Sequence, residues 1–280
     1  METVEARPAA ALRSLVGSYR GYRLQGPAGT HRGLPSRHLT FIISLAEPVD
    51  ICRMPDASQT PAAYGAPIGG LHASPATIRH NGFQYGMSLD LTPLGARALL
   101  GLPAGALAYS VVPLDEFLGR TAVELVDRLM AAPGWSERFT ILDDVLSRVL
   151  VDTVALPPEV SWAWRRLVAS GGTVEVSDLA DDVGWSRRHL GEVFRREVGL
   201  PPKVAARVLR FERSRRLLER PDRPGLADVA VAAGYYDQAH LARDWRQMAG
   251  CPPTTWMAEE LPFIPSPGLD DAEHPVPLDG

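Results

Sequence analysis

The chain has 280 residues, enough for two domains with separate cores. Its apolar share of 45% and charged share of 22% are those of a globular protein; no stretch nears the ~20 apolar residues of a membrane span, and the N-terminus does not read as a signal peptide. The net charge of −4 is unevenly spread: −2 over residues 1–159, +4 over 160–258 and −6 over 259–280.

The first hundred residues read as β-rich. Leu39–Leu45 is a short apolar run with β-branched and aromatic residues. Pro48, Pro55, Pro61, Gly65, Pro67, Gly69 and Gly70 punctuate the next stretch, and Ile78–Leu91 offers one or two further strands. Short strands with frequent turn signals predict a barrel or sandwich. After Thr92 the apolar spacing becomes helical, over Pro93–Leu100, Thr121–Met130 and Phe139–Val154. The last two are expected to pack on the β unit or to form a subunit contact. Two prolines in 156–159 oppose a continuing helix and mark a linker. Beyond it the chain reads as helical to Leu261, and the proline-rich acidic end reads as disordered. The fold class is α+β. The expected division is a β-rich N-terminal domain with helices at 1–155, a linker at 156–160, an all-α domain at 161–258 and a tail at 259–280.

The helical segment contains two copies of one unit. In the first, Ser177 is expected to cap a short helix with Leu179, Ala180 and Val183 on its apolar side; Gly184 permits a tight turn, and Ser186 caps a second helix. Leu190, Val193 and Phe194 form the buried stripe of that helix, and Arg187, Arg188, Gly191, Glu192, Arg195 and Arg196 its outer face. In the second copy Gly234 takes the turn, Asp237 the cap, and Leu241 and Trp245 the stripe, with Gln238, Ala239, His240, Arg243 and Arg246 outside. Leu190 and Leu241, Phe194 and Trp245, and Gly199 and Gly250 are each 51 residues apart. Helix, glycine turn and second helix with a basic face are the parts of a helix-turn-helix. Lys203–Arg220 lies between the copies with seven bases and two acids, and reads as one helix holding them apart.

These motifs resemble the DNA-binding domain of AraC/XylS-type regulators, above all in the Gly234–Arg246 run GYYDQAHLARDWR and the glycine-to-proline ending at Gly250–Pro253. The resemblance covers about Val160–Met257. It places base reading on Arg188, Glu192, Gln238, Ala239, His240 and Arg243, with Gly191 at a position that offers no side chain. Arginine pairs bidentately with guanine, glutamine with adenine, a carboxylate accepts from cytosine, and alanine meets the thymine methyl. Arg187, Arg195, Arg196, Lys203, Arg207, Arg246 and the linker-helix arginines suit phosphates. Residues 224–258 carry a net −1 against +5 for 160–223, so the first unit and linker helix are expected to supply affinity and the second specificity. A weaker likeness, over Gly86–Leu146, is to the N-terminal part of AraC-type regulators with an uncharacterised sensor and implies a cupin-like barrel.

The expected function is a cytoplasmic, sequence-specific regulator, nucleoid-associated when bound to double-stranded promoter DNA. It answers to an unidentified small-molecule effector; RNA polymerase and a second copy are its candidate protein partners. No catalytic constellation, cofactor motif or metal signature is read, so no enzyme is expected. Two alternatives stand beside it. One is a metal-dependent cupin enzyme drawing on His31, His38, His72 or His80, although none forms an H-x-H pair. The other is a regulator without an effector, controlled by abundance or a partner. Cys52 and Cys251 read as free thiols, His189 divides evenly between packing and base contact, and Tyr19, Tyr22, Phe41, Phe83 and Tyr85 read as core.

Overall fold

The computed structural model describes residues 1–150 and 156–260. Ten strands run through the first 113 residues: β1 (Glu2–Ala6), β2 (Val16–Gln25), β3 (Gly29–Gly33), β4 (Leu39–Ser44), β5 (Val49–Arg53), β6 (Ala62–Tyr64), β7 (Pro67–Gly69), β8 (Ala76–His80), β9 (Phe83–Leu91) and β10 (Val111–Pro113). They form two antiparallel sheets, ordered β1-β2-β9-β4-β7-β10 and β3-β8-β5-β6. The apolar run at Leu39 becomes β4, as its composition predicts. Its period of two turns Leu39, Phe41 and Ile43 inward, directly opposite Leu91, Leu89 and Met87 of β9.

Four helices accompany the sheets: α1 (Pro93–Leu100), α2 (Asp115–Leu118), α3 (Arg120–Ala131) and α4 (Trp135–Arg148). Thr92 fixes the start of α1, its hydroxyl accepting from the Gly95 N–H at 3.0 Å. The last helix starts four residues before the predicted Phe139, and the end of that prediction, 151–154, lies outside the described residues. It packs on the larger sheet through Phe139, stacked on Tyr19, and Trp135, which sits edge-on to Tyr85 and fills the space a side chain at Gly21 would take. The Tyr19 hydroxyl donates to Asp143 at 2.9 Å, so this fully buried tyrosine has a partner for its one polar atom. Tyr19 and Phe41 are core, as expected. Tyr85 packs against that core, and Tyr22, Phe83 and Tyr85 also line a cavity of about 500 Å³ flanked by both sheets, together with Val49 and Ile78.

Helix returns at α5 (Pro158–Ala169), then α6 (Val176–Asp182), α7 (Arg187–Val198), α8 (Pro202–Glu219), α9 (Leu226–Ala232), α10 (Gln238–Met248) and α11 (Pro253–Glu259). The segment read as a linker already contains the first turn of α5, because a proline at a helix start is pre-organised rather than disruptive. At the other end, Glu259 closes α11 and buried Glu260 pairs with Arg32 at 2.5 Å. The folded chain thus includes the first two residues of the expected tail; the rest of that expectation lies outside the described residues.

One continuous apolar core joins the β-rich half to the helices. Among the described residues, three arginines make ionic contacts across the same boundary. Arg97 of α1 grips Glu197 of α7 through Nε at 3.1 Å and Nη2 at 2.5 Å. Arg37 meets Glu212 of α8 at 3.5 Å, and Arg32 bridges Glu259 and Glu260. Gly105, in the turn 104–107, lies so close to α7 that a Cβ there would overlap the Arg196 carbonyl oxygen. Gly105→Ala therefore forces backbone apart, and we expect it to lower the unfolding free energy by about 1–3 kcal/mol in urea titration.

Burial pushes the Glu197 carboxyl up, but hydrogen bonds and charge from Arg97 and Arg196 outweigh it and hold the group below its usual value of 4.5. A depressed folded-state pKa gives stability that is complete above the unfolded value and is lost as pH falls through the folded one. Glu197→Gln should accordingly cost about 1–3 kcal/mol at pH 7. That gap should close on acidification below the ordinary glutamate range, measured by urea unfolding across pH.

Candidate nucleic-acid interface

Both units end their first helix on a left-handed glycine, Gly184 at φ +69° and Gly234 at φ +81°. The turn is tied the same way in each: the Trp185 N–H donates to the Ala180 carbonyl at 2.9 Å, the Tyr235 N–H to the Ala230 carbonyl at 2.8 Å. Each second helix is capped by a side chain. The Ser186 hydroxyl accepts from the His189 N–H at 3.2 Å, and the Asp237 carboxylate from the His240 N–H at 2.7 Å. Ser177, read as a cap of α6, lies inside that helix instead; Glu175 holds the cap position without a side-chain bond.

The two copies are not superimposable residue for residue. Helix α6 begins at Val176 and α9 at Leu226, 50 apart, whereas α7 begins at Arg187 and α10 at Gln238, 51 apart. The constant offset of 51 holds only from the second helices onward. Trp185 and Tyr235 are equivalent by their hydrogen bonds, and Ser186 and Asp237 by their caps. Tyr236 is the extra residue between them.

On α7, Leu190, Val193 and Phe194 are buried, while Arg187, Arg188, Glu192, Arg195 and Arg196 are exposed. Arg188 and Glu192 bond each other at 2.9 Å on the solvent side, a pair weak enough to open for bases. His189 is exposed with its ring edge-on to Trp185. On α10, Leu241, Trp245 and Met248 are buried; Gln238, Ala239, Arg243 and Arg246 are exposed; His240 is half-buried with its ring edge-on to Tyr235. Lys203 is exposed at the start of α8.

Arg207 departs from its expected role. It is drawn into α10, donating to buried Asp244 at 2.8 Å and also bonding Gln247. Several other linker-helix arginines are also engaged, although Arg213 is exposed. Arg210 donates to the Gly172 carbonyl at 2.7 Å and covers the Tyr235 ring, Arg215 pairs with Glu219, and Arg216 with Glu212. The cause is that α8 is buried by its neighbours along most of its length, so Arg207 and Arg210 serve as brackets to them, while Lys203 and Arg213 stay exposed. Sequence reasoning also passed over Glu197, buried on α7, whose partner Arg97 is 100 residues away in the chain.

The histidines weighed as metal ligands are scattered. His72 meets the Ser74 carbonyl at 2.6 Å, His38 lies near Asp90 and Glu212, and only His31 and His80 are neighbours, their rings 5.5 Å apart. Burial and His80 lower the His31 pKa to about 4. Among the described residues no group of three or more His, Cys, Asp or Glu side chains is placed to hold a metal. No described helix is long and apolar enough to cross a membrane.

Comparison with known proteins agrees with this geometry. The family model described as a helix-turn-helix domain matches residues 179–259. The chain is 34% identical over 68 residues to the uncharacterised HTH-type transcriptional regulator YbfI of Bacillus subtilis (strain 168), a match covering 24% of each protein. It thus spans about a quarter of the length of that curated relative. Two solved structures of ToxT from Vibrio cholerae share the whole architecture. One covers 86% of this chain and 97% of its own at 9% identity and a TM-score of 0.52. The other, an apo variant, covers 88% and 98% at 10% identity and a TM-score of 0.54. At such identities the likeness shows the fold alone: a β-rich half followed by helices. Residues 179–259 form a helix-turn-helix domain.

The caps are the cheapest part of the site to test. Ser186→Ala and Asp237→Ala should each cost about 1 kcal/mol in thermal unfolding, and Asp237→Asn clearly less than Asp237→Ala.

Proposed function

We propose that the protein is a sequence-specific DNA-binding transcription regulator that reads promoter DNA with α7 and α10. The carrying observation is the pair of capped, glycine-turned units joined by one uninterrupted 18-residue helix. Such a helix is about 27 Å long, which with its flanking turns suits two recognition helices entering the major groove about one duplex turn apart. Arg188, Glu192, Gln238, Ala239, His240 and Arg243 are the base-reading candidates. Arg187, Arg195, Arg196, Lys203 and Arg246 are the phosphate candidates, and Arg207 is withdrawn from that group.

The N-terminal half is proposed to hold a small-molecule effector. A ToxT structure with an unsaturated fatty acid bound shares its architecture, at 10% identity and a TM-score of 0.50. The half-open cavity flanked by the sheets here has the size of a small-molecule site, its wall mixing Tyr22, Val49, Ile78 and Phe83 with Glu47, Asp50, Arg79 and His80. Work in the cytoplasm, encounter with RNA polymerase and pairing of two copies belong to the same reading.

Selection from a random duplex pool tests the central claim. Two half-motifs about 10 bp apart are expected, and a pool that enriches nothing would overturn it. Salt titration on the selected site tests the division of labour between the units. Arg195→Ala should reduce the slope of log K against log salt by about one, and Arg246→Ala by clearly less. Equal reductions would show that the two units share the electrostatic work.

A further inference from the structure

Tyr236 is the residue by which the second turn exceeds the first, and it is 90% exposed. The other exposed large apolar side chains among the described residues are Met1, Val123, Met130 and Val231, so Tyr236 is the one aromatic in that group. Its neighbour explains its direction. Tyr235 turns inward to 4% exposure, beneath the Arg210 guanidinium and against the His240 ring. The extra residue must then leave on the opposite side, immediately before the cap of α10. Among the described residues, no hydrogen bond, ion pair or ring contact holds its side chain there. Solvent gains nothing from an ordered aromatic ring, whereas a binding surface does.

Its position selects the surface. In a helix-turn-helix the N-terminal residues of the recognition helix reach the base edges. Tyr236 stands two residues ahead of Gln238, the first residue of α10, with Gln238 and Ala239 both exposed. The electrostatics agree, since residues 224–258 offer only Arg243 and Arg246 as bases against three aspartates. The unit poorer in phosphate-binding charge is the one that carries an unpartnered aromatic. The apolar group on the major-groove edge is the thymine C5-methyl.

We propose that Tyr236 is a specificity-determining residue of the second unit, its ring packing on a thymine methyl in the half-site that α10 reads. This rests on the DNA-binding reading above. The first unit has no counterpart, because its shorter turn passes from Trp185 directly to the Ser186 cap.

The test uses the full chain and the site selected by the unaltered protein, so a protein that selects no site counts against the DNA-binding reading and leaves this inference separately identifiable. Tyr236→Ala should weaken binding to the selected site about tenfold, within the range of a single base contact, and leave the salt slope and the affinity for scrambled duplex unchanged. Tyr236→Phe should retain affinity within about twofold, because the ring and not the hydroxyl makes the contact. Replacing thymines one at a time by deoxyuridine should reveal one position in the α10 half-site where the unaltered protein loses binding and Tyr236→Ala loses nothing further. Equal binding and equal base preference for Tyr236→Ala would overturn the proposal. So would a loss on scrambled duplex as large as on the selected site, or a thymine scan that the substitution leaves unchanged.

Discussion

The architecture of the C-terminal half depends on α8 being buried by both units at once. Its buried residues, among them Ala205, Ala206, Val208, Leu209, Phe211, Ser214 and Leu218, lie around more of the helix than a single stripe would cover. The junction with the second unit is the most sharply defined. Trp245 of α10 is fully buried between Phe211 and Trp256, and its indole N–H donates to the Ser214 hydroxyl at 2.9 Å, which in turn donates to the Phe211 carbonyl. A buried indole needs that acceptor, and a buried serine needs that carbonyl. The Arg207–Asp244 pair closes the same junction from its half-exposed side. The helix is thereby a rigid spacer, and two rigidly spaced helix-turn-helix units can read two half-sites where a flexible pair would pay in entropy for each.

The β-rich half does not stand apart from this frame. It touches α7 through Arg97 and the close approach at Gly105, α8 through Arg37, and the end of the fold through Arg32. The contacts of Arg97, Gly105 and Arg37 reach the second helix of the first unit or the helix that spaces the units. Glu212 is buried as well: burial raises its pKa, but Arg37, His38, Arg216 and Arg215 together hold it below the usual range. A charge kept ionised in that setting ties the two halves together only while its partners stay in place.

Much of the candidate site was legible because it is local. A serine or aspartate ahead of an apolar stripe, a glycine at a helix end and a stripe at i, i+3, i+4 each act within one or two turns of chain, and Ser186, Gly184, Gly234 and Asp237 do what their chemistry predicts. Ser177 misled because the chain enters α6 earlier, with Glu175 at the cap two residues before it. The fate of the arginines was not legible. Arg195 and Arg207 look alike on a helical wheel; one meets solvent and the other meets Asp244, 37 residues further along. Most of the shorter strands also escaped, since strands of three to five residues among prolines and glycines show their alternation only once a neighbour supplies the ladder.

By itself the sequence determined that this chain carries two copies of a helix-turn-helix behind a β-rich half, because caps, turn glycines and apolar periodicity are properties of adjacent residues. It also held the mismatch between 50 and 51. Only the tertiary structure decided which residue absorbs that mismatch, by burying Tyr235 under α8 and leaving Tyr236 outside. The same holds for the cations. Their number is written in the chain, but whether each one braces the fold or remains free for a partner depends on which helix packs beside it, and that is settled by contacts between residues far apart in sequence.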